Sequence, residues 1–267
     1  MRRLAVVGSP IEHSRSPAIH AAAAAALGLA WDYGRERIER GGLAGFVRAL
    51  GSEWLGLSVT APLKEEALRL ADEPDDLARL AGGANTLVLG DRVRAWNTDV
   101  GGIVAAFDGA GLERAASGAI LGAGATAVSA LVALHRMGAR QVLVALRTPA
   151  KGARLAELGA SLGIDVALQP LDAELPAVDA AVSTLPATAD AVPRFARAPG
   201  RMLDADYARR GGSRYAAALP DALVDGREML LGQAVLQVRV FAHGDVDRPL
   251  PDEAAVREAM RAALLRD

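Results

Sequence analysis

The chain has 267 residues, enough for one large domain or two modest ones, and 51% of them are hydrophobic. Its formal net charge of −2 argues against non-specific nucleic-acid binding, which requires clustered cations to neutralise phosphates. The absence of cysteine excludes disulfides and thiolate metal sites, and no apolar run approaches the length of a membrane span. Because the apolar stretch before Gly8 is also too short for a signal peptide, we expect a cytoplasmic enzyme or binding protein.

The first hundred residues alternate between strand-like and helix-like segments. Ser16-Pro17 predicts an N-cap followed by proline at the first helical position, and Gly28 can end the same helix. Such alternation favours a largely parallel sheet covered by helices. The predicted strands cover residues 4–7, 32–38 and 55–59, the predicted helices cover 17–26, 43–50 and 65–71, and a hairpin covers 87–96.

From about Gly118 onward, the pattern is typical of a doubly wound nucleotide-binding domain. A long helix follows it at 228–242, where Gln233 and Gln237 lie one turn apart on the same face. A last helix begins after Pro251, and Asp252 is its predicted N-cap. The predicted strands of this second part cover residues 119–121, 141–146, 166–168, 180–183, 202–205 and 222–224.

A glycine-rich turn stands between the strand at 119–121 and the helix that follows it. Gly122-x-Gly124-x-x-Ala127 fits the fingerprint of a dinucleotide site, in which the helix N-terminus offers unpaired N–H groups to the pyrophosphate. Alone the pattern is weak, because glycines also make ordinary turns. The candidate cofactor residues in this turn are Gly122, Ala123, Gly124, Ala125, Thr126 and Ala127.

The end of the next strand indicates which dinucleotide is bound. NAD sites usually place Asp or Glu there to bind the ribose 2′-hydroxyl, but this strand ends in Leu146 and Arg147-Thr148, with Lys151 close behind. Arginine can grip a 2′-phosphate with its planar fork, and the threonine and lysine add a hydroxyl and a charge. We therefore predict NADP; the alternative is a basic turn on the surface.

Lysine is almost absent from this chain. Lys64 and Lys151 stand against 28 arginines, so wherever a cation is enough the sequence has used arginine. A lysine ammonium can give up its proton when its surroundings demand it, whereas a guanidinium effectively cannot. Lys64 lies just beyond the predicted strand at 55–59, where open α/β sheets place their ligands. It is a candidate proton donor; the alternative is that both lysines are ordinary surface residues.

Four loops of the first hundred residues carry polar side chains that plain connections do not need. They contain Ser14-x-Ser16-Pro17, Ser58-Val59-Thr60-x-Pro62-x-Lys64, Ala84-Asn85-Thr86 and Asn97-Thr98-Asp99. These motifs, in this order, resemble those of the shikimate dehydrogenase family, and the resemblance continues through the glycine-rich turn, Arg147-Thr148 and Met229-Leu230-x-x-Gln233. Three positions depart from the family pattern: Ser58 and Leu146 stand where asparagine is usual, and Ala125 where glycine is frequent.

The resemblance implies an α/β fold of two domains with the active site in the cleft between them. An α/β substrate-binding domain with a mostly parallel sheet is expected at residues 1–101, and a Rossmann-like NADP-binding domain at 102–233. The C-terminal helices at 234–267 are expected to return to the substrate domain. The implied partners are a small-molecule substrate and no nucleic acid or membrane, with the chain acting as a monomer or homodimer.

The activity implied by the resemblance is the NADPH-dependent, reversible reduction of 3-dehydroshikimate to shikimate in aromatic amino-acid biosynthesis. By the same resemblance Lys64 and Asp99 form the catalytic pair, and Met229 belongs to the cofactor site. Ser14 and Ser16 would hold the substrate carboxylate, with Tyr207 nearby, although the loop at 208–212 lacks the family's usual proline. The ring hydroxyls would be bound by Thr60, Asn85, Asp99 and Gln233.

Two alternatives remain open. An NAD-dependent quinate/shikimate dehydrogenase is disfavoured by Arg147-Thr148, and a catalytically inactive, metabolite-binding paralogue is disfavoured by the presence of both Lys64 and Asp99. His13 and His20 flank the serine loop, but no acidic cluster accompanies them, so we expect no metal site and no catalytic histidine.

Overall fold

The computed structural model describes residues 1–189, 191–209 and 211–266, and the chain forms two units. The first unit contains Met1–Thr98 and Gln233–Asp267, and the second contains Asp99–Gly232. Each unit is built on one six-stranded sheet, which confirms the predicted α/β fold class. In chain order the described strands are β1 (Arg2–Gly8), β2 (Trp31–Arg37), β3 (Trp54–Val59), β4 (Glu73–Pro74), β5 (Thr86–Val88), β6 (Arg94–Trp96), β7 (Ser117–Leu121), β8 (Gln141–Leu146), β9 (Asp165–Pro170), β10 (Ala180–Ser183), β11 (Arg201–Asp204) and β12 (Leu223–Asp225).

The helices lie between these strands, as the alternation predicted. A short 3-10 helix at Pro149–Gly152 separates β8 from the helix after it. The described α-helices are α1 (Ser16–Ala26), α2 (Leu43–Arg48), α3 (Lys64–Leu70), α4 (Asp76–Ala81), α5 (Asp99–Gly109), α6 (Ala125–Met137), α7 (Ala153–Ser161), α8 (Gly226–His243) and α9 (Glu253–Leu265).

The first unit has the strand order β2-β1-β3-β5-β6-β4. β1 pairs in parallel with β2 and β3, whereas β5 pairs antiparallel with both β3 and β6. The hairpin predicted at 87–96 is thus confirmed as the β5–β6 pair. β4 has only two residues and no alternating pattern, and the sequence analysis missed it.

Strand alternation gives this sheet two apolar faces. One face, which includes Val7, Leu57 and Leu87, packs against residues near α2 and α3 such as Leu43 and Leu63. The other face contributes Leu4, Val88 and Trp96 to a cluster with Val240 and Phe241 of α8. The C-terminal part of the chain is therefore part of the first unit's core, although it lies more than a hundred residues from the strands that it covers.

The predicted helix cap at Ser16 is wrong, whereas the one at Asp252 is confirmed in its position. The N-cap of α1 is Arg15, not Ser16; Ser16 is already the first helical residue and no side chain caps this end. The Ser16 N–H instead donates to Ser14 Oγ at 3.3 Å. Asp252 does occupy the N-cap position of α9, but its side chain accepts no capping hydrogen bond. Gly28 follows the C-cap of α1 with φ of 65°, which confirms its predicted role in ending that helix.

The second unit has a wholly parallel sheet in the order β12-β11-β10-β7-β8-β9. From β7 the chain first builds outward through β8 and β9, and then returns to add β10, β11 and β12 on the other side of β7. The strand order therefore reverses between β7 and β10, the point at which doubly wound folds bind their ligands. The doubly wound arrangement of strands that the sequence predicted for this part of the chain is thus confirmed.

Gly56 in β3 allows α8 to lie close to the sheet. A Cβ at this position would stand 2.3 Å from the Leu87 carbonyl oxygen and 2.8 Å from Cε1 of Phe241. We expect Gly56→Ala to lower the free energy of unfolding by about 1–3 kcal/mol, because the new methyl group overpacks this interface. Urea unfolding followed by circular dichroism measures the change.

Gly34 in the neighbouring strand β2 provides the matched control. Nothing lies within 4 Å of a Cβ built there, so Gly34→Ala should change the free energy of unfolding by less than about 0.5 kcal/mol. Equal unfolding curves for the two variants would contradict the close packing of α8 on β3.

Candidate active site

Asn85 is the centre of a buried polar cluster in the first unit. Its backbone bridges two strands, because Val59 N–H donates to its carbonyl at 2.7 Å and its own N–H donates to Trp96 O at 3.0 Å. Its side-chain Oδ1 accepts from Thr98 N–H at 2.9 Å, while Nδ2 donates to Thr98 Oγ1 at 2.9 Å and to Gln233 Oε1 at 3.3 Å. Two predicted ring-hydroxyl residues, Asn85 and Gln233, are thus in direct contact.

A second row of polar groups lies against this cluster. Gln237 Nε2 donates to Asn85 O at 2.9 Å and to Thr86 Oγ1 at 3.1 Å, and Gln237 Oε1 accepts from Ser58 at 2.8 Å. The Tyr33 hydroxyl donates to Ser58 Oγ at 2.6 Å. Burial raises the pKa of Tyr33, so its hydroxyl stays a donor across the ordinary pH range. Tyr33 had no predicted role, and the spacing of the two glutamines was the one sequence signal that pointed to Gln237.

His20 packs behind Tyr33. Its ring is fully buried, stacks on the Tyr33 ring with centroids 4.2 Å apart, and places Nδ1 2.9 Å from Ser16 O. Burial lowers the pKa of His20 to about 4, because the interior penalises the charged imidazolium. His20 is therefore neutral near pH 7 and serves the site by packing.

The serine loop before α1 holds Ser14 and Ser16, which are both buried. Ser14 Oγ accepts from Ser16 N–H at 3.3 Å, so the structure brings the two predicted carboxylate ligands together. The Ser14 carbonyl accepts from Arg35 Nε at 3.2 Å and Arg35 Nη2 at 2.8 Å. The side chain of Arg35, on β2, thus holds the backbone of the serine loop in place. No sequence motif indicated this contact.

Thr60 and Lys64 belong to the turn between β3 and α3. Thr60 N–H donates to Val7 O at 2.9 Å, and Lys64, half-buried, is the first residue of the helix. Ala84 N–H donates to Lys64 O at 2.9 Å. Because Ala84 directly precedes Asn85, this bond ties the lysine turn to the buried polar cluster.

Asp99 directly follows Thr98, whose backbone and side chain both bond to Asn85. It is buried, and it is the first residue of α5 and of the second unit. The positive end of the helix dipole favours a carboxylate at this position.

The glycine-rich turn of the second unit has the geometry that a dinucleotide requires. Gly122 has φ of 112°, and a Cβ there would stand 2.5 Å from Thr184 Oγ1, so only glycine fits. Gly124 is the N-cap of α6, nothing lies within 4 Å of a Cβ built on it, and the first N–H groups of the helix have no acceptor within the helix. Ala123, Gly124 and Ala125 are exposed, whereas Ala127 packs in the core, so the open helix end can receive a pyrophosphate.

The three predicted 2′-phosphate residues follow β8 and are all exposed. Arg147 lines a cavity of about 640 Å³ that is formed within the second unit. Thr148 and Lys151 are not among the residues that line this cavity; they are joined to each other by a bond from Lys151 N–H to Thr148 O of 3.0 Å.

Tyr207 and Met229 also lie in the second unit. Tyr207 is half-buried after β11, and burial, followed by the nearby Asp206 carboxylate, raises its pKa. Arg210, in the same loop, lies outside the described residues. Met229 is buried in the first turn of α8.

Among the described residues, no three histidine or acidic side chains are grouped closely enough to hold a metal ion. Within the same part of the chain, no helix combines the length and the apolar character needed to cross a bilayer.

The sequence and the fold are both similar to those of known proteins. The model described as the shikimate dehydrogenase substrate binding domain matches residues 6–87. A shikimate dehydrogenase (NADP(+)) of Methylobacterium radiotolerans is 41% identical over 179 residues, which are 64% of this chain and 64% of that protein. The matched part therefore spans slightly less than two thirds of this curated relative.

Solved structures match over nearly the whole chain. A shikimate 5-dehydrogenase from Mycobacterium fortuitum is 40% identical, with a TM-score of 0.80 and coverage of 98% of this chain and 97% of that one. A shikimate 5-dehydrogenase from Thermus thermophilus, solved in complex with NADP(H) and shikimate, is 30% identical, with a TM-score of 0.82 and coverage of 98% and 100%.

The buried histidine should make folding sensitive to acid. Because the folded pKa of His20 is about 4 against an ordinary value near 6.5, the unfolded chain binds a proton that the folded chain excludes. Protonation of the unfolded chain therefore costs the folded protein no stability above pH 6.5, and it lowers the free energy of unfolding progressively as the pH falls from 6.5 toward 4. Between pH 7 and pH 5 we expect wild type to lose about 2 kcal/mol more unfolding free energy than His20→Phe, as measured by urea unfolding.

His13 is the control for this measurement, because it is exposed on the neighbouring loop. His13→Gln should keep the wild-type pH dependence. If His20→Phe also kept it, the histidine would not be held neutral in the folded protein.

Proposed function

The chain belongs to the shikimate dehydrogenase family, and on that basis we propose that it catalyses the reversible, NADPH-dependent reduction of 3-dehydroshikimate to shikimate. One observation supports this proposal: Ala84 N–H donates to Lys64 O and Thr98 N–H donates to Asn85 Oδ1, so the lysine turn and the residue that precedes Asp99 are both bonded to the segment that carries Asn85. The reaction would serve the biosynthesis of aromatic amino acids. The proposal includes that the protein acts as a monomer or a homodimer.

The first unit supplies most of the groups for the substrate. We assign the carboxylate to Ser14 and Ser16, whose loop Arg35 holds in place, and we assign Tyr207 to the same role. The hydroxyl groups of the ring are assigned to Thr60, Asn85, Asp99 and Gln233. A ring with several hydroxyls needs donors and acceptors in fixed directions, which the mutual bonds of Asn85 and Gln233 support.

Lys64 is assigned as the proton donor and Asp99 as its partner. NADPH, when bound, supplies the hydride that the ring carbonyl carbon receives. The carbonyl oxygen then gains negative charge, which the Lys64 ammonium stabilises and neutralises by transferring a proton. The Asp99 carboxylate orients the ammonium and balances its charge. In the reverse direction neutral Lys64 accepts the proton of the shikimate hydroxyl.

The second unit supplies the groups for the cofactor. Backbone N–H groups in the turn at 122–127 would hold the pyrophosphate, and the open helix end supports this role. We assign Arg147, Thr148 and Lys151 to the 2′-phosphate, since cations without an acid at this point favour NADP over NAD. Met229 is assigned to the same cofactor site. The proposal includes a cytoplasmic location, because the NADPH that the reaction requires is an intracellular cofactor.

A spectrophotometric assay of the purified protein tests this function. Shikimate and quinate are each offered with NADP and with NAD, and reduction of the cofactor is followed by absorbance. The highest kcat/KM is expected for shikimate with NADP. A preference for quinate with NAD would favour the alternative dehydrogenase, and tight shikimate binding without turnover would identify an inactive, metabolite-binding paralogue.

Exchange of Lys64 separates proton transfer from charge. Lys64→Ala should reduce kcat by at least ~10²-fold, the scale for losing a positioned acid–base group, with a much smaller change in KM for shikimate. Lys64→Arg should fail as well, because a guanidinium restores the charge but holds its proton and lacks the compact shape of an ammonium.

Arg69→Ala, on the exposed side of the same helix α3, is the matched control and should keep the wild-type kcat. Near-normal turnover by Lys64→Arg would show that charge alone is enough at position 64, and the assignment of a proton donor there would be wrong.

A further inference from the structure

The cavity beside Arg147 contains a second arginine that no motif indicated. The cavity has a volume of about 640 Å³, within the range of small-molecule sites. We propose that Arg194 binds the 2′-phosphate of NADP together with Arg147 and is therefore a residue that determines the choice of cofactor. This inference rests on the proposed function. The cavity is lined by Arg147, by Leu171 and Asp172, and by the segment from Ala191 to Arg194.

The charges of the cavity fit a phosphate dianion. Arg147 and Arg194 are both exposed, and among the described residues neither takes part in an ion pair. Two guanidinium forks at one cavity can bind the separate oxygens of a phosphate with charge-assisted hydrogen bonds. Leu146, at the end of β8, is apolar and buried, and Thr148 and Lys151 do not line the cavity. Arg194 therefore adds, inside the cavity, a further cation to the group that Arg147, Thr148 and Lys151 form after β8.

The remaining lining residues fit an adenine ring. Val192 is 48% exposed, one of the few large apolar side chains left open among the described residues, and Leu171 and Pro193 add apolar surface beside it. A flat purine would cover this surface. The Asp172 carboxylate would repel a phosphate, but it can accept a hydrogen bond from an amino group such as the one that adenine carries. The cavity thus offers an anion-binding part and a purine-binding part.

The backbone around Arg194 is firmly held, so the arginine is presented from a fixed position. Leu175 N–H donates to Arg194 O at 2.9 Å. The chain that precedes Arg194 is bonded to Arg214, whose side chain is only 1% exposed. Arg214 donates to Ala189 O at 2.6 Å and to Pro186 O at 2.8 Å, and it pairs with the Asp206 carboxylate at 3.6 Å. A buried guanidinium with carbonyl and carboxylate partners is costly to disturb, so Arg214 holds the backbone at Pro186 and Ala189 in place.

Calorimetric binding of NADP and NAD to Arg194→Ala tests the proposal without reference to turnover. We expect the Kd for NADP to rise at least ~10-fold, equivalent to about 1.4 kcal/mol, while the Kd for NAD changes less than about twofold. The fragment 2′,5′-ADP, which carries the phosphate without the nicotinamide, should lose the same factor as NADP. Arg194→Gln, which keeps part of the side-chain stem, should give the same selective loss.

Arg197→Ala is the matched control, because Arg197 is exposed on the same segment and does not line the cavity. It should bind both cofactors like wild type. Unchanged NADP binding by Arg194→Ala, or equal losses for NADP and NAD, would overturn the proposal. Wild type that binds NADP but does not oxidise shikimate would overturn the proposed function alone, and wild type that does not bind NADP would overturn both.

Discussion

The buried amide of Asn85 needs a partner for every donor and acceptor, and distant parts of the chain supply them. Its backbone joins Val59 to Trp96, and its side chain joins Thr98 to Gln233, which lies 148 residues further along the chain. An unsatisfied amide in this position would cost roughly 1–3 kcal/mol, so the bonds act together to select one arrangement. The lysine turn, Thr98 and the part of α8 from Gln233 onward are all held by bonds to this residue or to its sequence neighbours.

The two units prepare their sites by different physical means. The first unit uses a network of neutral side chains, in which Tyr33, Ser58 and Gln237 pass hydrogen bonds toward the backbone of Asn85. The second unit uses backbone geometry, since Gly122 admits a conformation closed to other residues and α6 presents its unpaired end. A network of side chains can discriminate among substrates by the direction of each donor. A helix end recognises any pyrophosphate, so the choice between cofactors depends on the side chains around it.

Local patterns predicted most of the strands and helices, because periodicity, glycines and prolines act within a few residues. They also indicated Lys64, through its rarity, and the glycine-rich turn, through its position between strand and helix. Contacts made across the chain were not predictable: Arg35 reaches Ser14 over 21 residues, and Arg214 reaches Pro186 over 28. The cap assigned to Ser16 failed because α1 begins one residue earlier than the Ser-Pro pattern predicted, with Arg15 in the N-cap position. The assigned site roles themselves remain predictions that the experiments above address.

The scarcity of lysine has a spectroscopic consequence once the positions of Lys64 and Lys151 are known. The first lies in the first unit and the second in the second unit, so each unit carries one side-chain ammonium. Protein grown on isotope-labelled lysine would give one side-chain resonance for each unit, without crowding and without mutation. Ligand titrations could then be followed separately in the two units. The Lys64 signal would report on the proposed substrate site, and the Lys151 signal would report on the proposed 2′-phosphate site after β8.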